Sequence, residues 1–182
     1  HGGVSPIQEK QMVTQKGDNT FVVAINGNFD QAQSGVKAIF GNKELAKEMD
    51  EKGFQFSSAN SINIGRLIPQ VAYYVYAYAK LFAEGKVAKD EKINVVVPTG
   101  NFGNILAAYY AKNMGLPIDK LVCASNDNKV LYDFFETGCY DRNREFILTN
   151  SPSMDILISS NLERLIYKIA ENDSEKNAEL MA

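Results

Sequence analysis

The stretch Val95-Val96-Val97-Pro98-Thr99-Gly100-Asn101-Phe102-Gly103-Asn104 decides the fold, together with the Ile105-Leu106-Ala107-Ala108-Tyr109-Tyr110-Ala111-Lys112 that follows it. A β-branched run stops at a proline, passes two glycines set among small polar residues, and turns into a helical pattern. The reading is strand, tight loop, helix start. Gly100 and Gly103 have no Cβ, so the backbone can turn sharply and approach a ligand, while the first N–H groups of the new helix lack intrahelical acceptors. Such a place favours a phosphate. A plain strand-to-helix turn, whose glycines solve only a steric problem, remains the simpler alternative from this loop alone.

The pattern repeats outward. Leu121 to Ser125 reads as a second short apolar strand that ends in Asn126-Asp127-Asn128, and a helix over 129–136 stops at Gly138. Gly115-Leu116-Pro117 terminates the helix after the opening loop. Strands alternating with helices predict a parallel sheet, whose ligands bind beyond the carboxyl ends of the strands. Both polar clusters fall at those ends.

Upstream, Ser5-Pro6-Ile7-Gln8 predicts a helix start with a capping box, and Gly17 is its predicted end. Thr20 to Ile25 reads as a buried strand and Asn26-Gly27-Asn28 as the turn after it. Asp30 and Asn42 are predicted to cap the next two helices. Composition shifts near residue 56 to Ser57-Ser58-Ala59-Asn60-Ser61-Ile62-Asn63-Ile64-Gly65-Arg66, which predicts a boundary between a lobe over 1–56 and another over 57–182. A helix with one broad core face follows, carrying Leu67, Ile68, Val71, Val75, Tyr78, Ala79 and Phe82. Pro69 lies in its first turn or kinks it. Its tyrosines read as packing and rim residues. Near the end, Ser160-Asn161-Leu162-Glu163 predicts a second capping box, before a stripe of Leu162, Leu165, Ile166 and Ile169, and a short polar helix starts at Ser174.

Composition bounds the function. The chain has 182 residues, 45% apolar and 10% aromatic, enough for a real core. A net charge of −3, spread over both signs, argues against a general nucleic-acid or membrane surface. No apolar run approaches the roughly 20 residues that span a bilayer, nothing resembles a signal peptide, and a cytoplasmic location is expected. The single histidine, His1, at the very end, argues strongly against a zinc site or a Ser-His-Asp triad. Cys123 and Cys139 have no metal spacing and read as buried or half-buried thiols. The chain opens on His1-Gly2-Gly3 without a Met, which reads as a tag scar and as the start of a piece of a longer protein.

Taken together, five ordered segments resemble the threonine synthases, pyridoxal-phosphate enzymes of the tryptophan synthase β-like fold. They are Gly3-Val4-Ser5-Pro6-Ile7-Gln8-Glu9-Lys10-Gln11-Met12, Gly27-Asn28-Phe29-Asp30, Ser58-Ala59-Asn60-Ser61-Ile62-Asn63-Ile64-Gly65-Arg66, Pro98-Thr99-Gly100-Asn101-Phe102-Gly103-Asn104 and Ser151-Pro152-Ser153-Met154-Asp155-Ile156. The resemblance implies an incomplete three-layer α/β fold of type II and a carbon–oxygen lyase that converts O-phospho-L-homoserine and water to L-threonine and inorganic phosphate. It implies that Gly100, Asn101, Phe102, Gly103 and Asn104 hold the phosphate of pyridoxal 5'-phosphate, and that Asn60, Ser61 and Arg66 hold the substrate's phosphate. An Arg fork with hydroxyl and amide donors suits a phosphate dianion. A solvated charge at a helix start is the plainer account of Arg66.

The same resemblance implies what this stretch lacks. The family's Schiff-base lysine sits in a Phe-Lys-Asp segment before the Ser-Pro-Ile-Gln-Glu-Lys stretch, and Lys10, Lys37 and Lys112 read as exposed helical positions. The chain is therefore expected to carry the phosphate cradle, with the later part of the small lobe over 1–56, but no catalytic residue. It is expected to be inactive alone and to self-associate through apolar edges. A sister lyase such as a cysteine synthase or a serine/threonine dehydratase is the alternative within the fold, and a non-catalytic anion-binding module the alternative outside it.

Overall fold

The computed structural model describes residues 4–27 and 29–182. The chain divides into two compact units, His1–Phe56 together with Leu148–Pro152, and Ser57–Ile147 together with Ser153–Ala182.

The first unit holds three helices, α1 (Pro6–Val13), α2 (Phe29–Gly41) and α3 (Lys43–Glu51). Their ends are drawn locally. The Ser5 hydroxyl accepts from the Gln8 N–H at 3.3 Å while the Gln8 side chain accepts from the Ser5 N–H at 3.0 Å, which is the predicted capping box. Asn42 caps α3 by accepting from the Leu45 N–H at 3.0 Å. Three sequence expectations are corrected here. α1 ends at Thr14, before Gly17, whose φ of +135° belongs to the turn beyond. α2 begins at Phe29, so Asp30 lies inside the first turn, and Asn28 lies outside the described residues. Thr20 to Ile25 is no strand, and Phe21 and Val23 are 84% and 83% exposed. A strand exists only with a neighbour to take its backbone hydrogen bonds, and none pairs with this segment among the described residues. Phe40 and Phe56 stack with centroids 5.6 Å apart, yet among the described residues no apolar side chain of this unit is fully buried.

The second unit carries the sheet. Strands β1 (Ile93–Pro98) and β2 (Ile118–Ala124) pair in parallel, with Val95 opposite Leu121 and Val97 opposite Cys123. The helix α6 (Gly103–Asn113) crosses between them and buries Gly103, Ile105, Leu106, Ala107, Ala108 and Ala111. Small residues along this face let α6 lie close to its neighbours, while Ile105 and Leu106 fill the core. Val97, Leu67, Phe102, Leu131 and Leu162 join them, each large apolar side chain contributing roughly 1.5–3 kcal/mol on burial. Val96, on the other side of β1, is 63% exposed.

The predicted helix around residues 64–83 is interrupted. α4 (Ile64–Leu67) passes into a 3₁₀ turn over Ile68–Gln70 and then into α5 (Val71–Ala83). Pro69 sits in that turn because it has no N–H to give a continuous helix. The core stripe is narrower than the apolar pattern implied: Leu67 and Val71 are buried, whereas Ile68, Val75 and Phe82 are about half exposed.

α7 (Val130–Thr137) ends at Gly138 with φ of +76°, as the sequence predicts. α8 (Leu162–Ile169) and α9 (Ser174–Met181) close the chain. Of the predicted α8 stripe, Ile169 is exposed. Cys123 is half-buried, and burial pushes its thiol pKa up, partly offset by a hydrogen bond with Thr99. Cys139 is exposed, against expectation, because it follows the helix-ending Gly138 in a stretch without regular structure.

Candidate functional site

The loop after β1 is held by its carbonyls. The Gly100 carbonyl accepts from the Ser159 hydroxyl at 2.5 Å, and the Asn101 carbonyl accepts from the Asn161 N–H at 3.1 Å and its Nδ2 at 2.9 Å. Thr99 is tied on both sides, its N–H donating to Ala124 across the sheet at 2.7 Å and its hydroxyl to Val97 at 2.7 Å. With these acceptors satisfied, the donors are left over: among the described residues the backbone N–H groups of Gly100 to Ile105 donate to no protein atom. Phe102, the residue before α6, has φ of +63° and places no side-chain cap on the helix. The N-terminus of α6 therefore presents bare donors and the positive end of its dipole.

A cavity of about 210 Å³ lies there, lined by Ser61, Gln70 and residues 97–105. Both loop glycines are packed too closely for a side chain. A Cβ on Gly100 would stand 2.7 Å from Ile156 Cδ1, and one on Gly103 would overlap the Ser61 side chain. The Oδ1 of Asn101 is buried without a partner; a half-turn of this near-symmetric amide would put a donor at that position.

The five predicted cofactor residues take different parts. Gly100 and Gly103 line the cavity with backbone, and Asn101 also lines it. Phe102 lines it too, but its ring is 4% exposed and packs in the core with Leu106 and Leu131. Asn104 also lines the cavity, its side chain accepting from the Tyr74 hydroxyl at 2.5 Å and donating to Gln70 at 2.9 Å. Burial pushes the Tyr74 phenol up to about 12.

The predicted substrate residues are not gathered equally. Ser61 lines the same cavity. Asn60 spends its Oδ1 on the Ile62 N–H at 3.1 Å, closing a turn on itself. Arg66 is exposed, with Nε donating to the Ala59 carbonyl at 3.3 Å. Neither Asn60 nor Arg66 lines the cavity. Among the described residues no lysine does either, and Lys10, Lys37 and Lys112 are exposed.

What sequence reading missed is the bracket around this loop. Ser160-Asn161-Leu162-Glu163 forms no capping box: Asn161 precedes α8 but makes no side-chain cap, and the Ser160 hydroxyl is buried without a partner. A cap worth about 1 kcal/mol is forgone, because the Asn161 amide serves Ser61 and Asn101 instead. A second bracket joins the end of β2 to the Ser151–Ile156 motif. Buried Asp155 accepts from Asn126 at 2.7 Å and from Asn128 at 3.1 Å, and Asn128 also exchanges hydrogen bonds with the Ile147 backbone. The run of short polar side chains at 159–161, uncommon at full burial, was the available signal. Among the described residues no cluster of His, Cys, Asp and Glu could hold a metal, and no helix is long and apolar enough to cross a membrane.

No protein-family profile matches the chain. It is 47% identical over 180 residues to human threonine synthase-like 1, covering 98% of this chain and 24% of that protein. It is 46% identical over 169 residues to the threonine synthase of Saccharomyces cerevisiae, covering 93% and 31%. Among solved structures it superposes on PLP-bound threonine synthase from Brucella melitensis with a TM-score of 0.79 at 42% identity, covering the whole chain and 37% of that protein. The Escherichia coli threonine synthase gives 0.78 at 36% identity, covering 93% and 38%. The chain thus spans about a quarter to a third of the length of the curated relatives named here. These likenesses lend nothing to the cysteine synthase or dehydratase alternative. Over nearly its whole length this chain is homologous to one part of the threonine synthases, and it carries the corresponding part of their type II pyridoxal-phosphate fold.

Proposed function

We propose that this chain supplies the phosphate-holding part of a pyridoxal-phosphate lyase that converts O-phospho-L-homoserine and water to L-threonine and inorganic phosphate. The observation that carries the proposal is the set of backbone donors from Gly100 to Ile105, unpartnered among the described residues, at the α6 N-terminus, in a cavity whose lining includes Gly100 and Gly103. Donors of this kind bind a phosphate without a lysine or arginine in contact. The homology to threonine synthases supports the same reading.

In this proposal the backbone of Gly100, Asn101, Phe102, Gly103 and Asn104 holds the cofactor phosphate, with the Ser61 hydroxyl in the same wall. Asn60 and Arg66 are assigned to the substrate phosphate. The cofactor, when bound, supplies the electron sink for breaking the carbon–oxygen bond to phosphate. Residues 98–104 fix its phosphate end, and Tyr74 and Gln70 hold Asn104 so that the helix start stays in register with the cavity. Residues 1–56 correspond to the later part of a small lobe and 57–182 to part of a large one. With no lysine on the cavity among the described residues, the chain alone is proposed to be inactive, and it is proposed to self-associate through exposed apolar segments such as Phe21 to Val23. A cytoplasmic site of action rests on the sequence reading alone.

The test is the melting temperature of the purified chain with pyridoxal phosphate, with pyridoxal lacking the phosphate, and with inorganic phosphate. Stabilisation by the two phosphate-bearing ligands and not by pyridoxal is the expected result, with affinity following from the concentration dependence. Equal behaviour of all three ligands would overturn the cradle assignment. Self-association is read by sedimentation, where a clean monomer at all concentrations would defeat it.

A further inference from the structure

The two segments assigned to phosphates, residues 58–66 and 98–104, are far apart in sequence and meet through α8. Asn161, completely buried, donates from Nδ2 to the Ser61 hydroxyl at 3.0 Å and to the Asn101 carbonyl at 2.9 Å. One turn on, Arg164 spreads its guanidinium over three acceptors: the Ser61 carbonyl at 2.9 Å, the Ile62 carbonyl at 2.7 Å, and Oδ1 of Asn161. Asn161 is thereby held at both ends of its amide, its Oδ1 by Arg164 and its Nδ2 by the two segments. A planar guanidinium with donors at fixed angles can serve these acceptors at once, which a single ammonium point cannot. The Ser61 side chain lies so close to Gly103 that a Cβ there would overlap it, so its position sets one wall of the cavity.

We propose that Asn161 and Arg164 are positioning residues that hold the Ser58–Asn63 turn against the Gly100–Asn104 loop, so that Ser61 stands in the cavity wall and a bound phosphate meets both segments. The inference rests on reading the cavity as a phosphate site. It explains why the Asn161 side chain does not cap α8 and why an arginine, three residues further, covers carbonyls of a distant turn. Neither residue lines the cavity; both act through Ser61 and Asn101.

Two measurements on the full chain separate this proposal from the phosphate reading: amide hydrogen exchange without ligand, and the Kd for inorganic phosphate. In Arg164→Lys, exchange at Ile62, Asn63 and Leu67 is expected to quicken about tenfold, while Val95 to Val97 in β1 and Ala107 to Ala111 in α6 hold their protection. The Kd for phosphate is expected to weaken by about the same factor. Asn161→Asp, which keeps the shape but cannot donate to Ser61, gives an independent variant in the same direction. Val130→Ala removes core volume at a residue that does not line the cavity and makes no part of the latch, and serves as the stability control; it lowers the melting temperature and leaves phosphate Kd unchanged. Unchanged exchange at residues 62–67 in both latch variants, or a rise no more local than that of Val130→Ala, overturns the latch. So does wild-type phosphate affinity in both variants. Should the wild-type chain bind no phosphate, the cavity reading falls, and the exchange pattern still decides whether α8 holds the turn.

Discussion

Residues 4–56 carry three helices whose ends are set by neighbours in sequence, Ser5 with Gln8 and Asn42 with Leu45, and no apolar side chain described there is fully buried. The second unit, from Ser57 onward apart from 148–152, holds every fully buried large apolar residue described, around α6. The contrast shows two sources of order. Capping fixes where a helix starts and costs little to disturb; burial fixes where an element lies and costs much. The candidate site stands on the second kind, because the buried Asn161 and Ser159 hold the Gly100 and Asn101 carbonyls of its loop.

The comparison breaks most readily at Leu106, which is completely buried. Leu106→Ala is expected to destabilise the chain by about 2–5 kcal/mol, whereas Ile39→Ala, at a half-exposed position in α2, is expected to cost under about 1 kcal/mol. Denaturant unfolding of both variants checks this, and equal costs would erase the distinction between the units. Next in size is Gly103→Ala. The added methyl meets Ser61, so about 1–3 kcal/mol of overpacking strain and loss of the phosphate-dependent rise in melting temperature are expected together. Retained phosphate stabilisation would mean that Ser61 gives way at no cost to the cavity.

Asn42→Ala sharpens the comparison from the other side. Loss of the cap is expected to cost about 1 kcal/mol, seen as faster amide exchange at Leu45 and Ala46 with β1 and β2 unaffected. Spread of the effect to the sheet would show that the first unit's helices are not locally ordered. The smallest expected effect is at Tyr74, whose phenol burial pushes up to about 12 from 10.0. The folded state disfavours the phenolate, so this group's contribution is intact below pH 10 and is lost as pH rises from about 10 to 12. Alkaline titration by tyrosinate absorbance should show a late-titrating phenol that is lost in Tyr74→Phe.

Much of the second unit was legible because its signals are local. Val95 to Val97 stop at Pro98, Gly100 and Gly103 open the loop, and Gly115 and Gly138, both at positive φ, end α6 and α7. The capping box at Ser160 to Glu163 satisfied the same local grammar and was overridden, since the Asn161 amide gains two partners from distant segments. Thr20 to Ile25 failed for a related reason: β-branched composition records a preference for pairing, not the presence of a strand to pair with. In the site, Ser61, Asn60 and Arg66 sit within six residues, yet only Ser61 reaches the cavity.

By itself, then, the amino-acid sequence determined the alternation of strand and helix, the tight glycine loop at 98–104 and the homology it carries, because φ restriction, capping and glycine freedom act over a few residues. Tertiary structure alone decided that Ser61 faces Gly103, that Asn161 and Arg164 bind across some sixty to a hundred residues of chain, and that Val97 is buried while Val96 is not. Those outcomes depend on which surfaces meet, and burial is a property of the meeting, not of the residue.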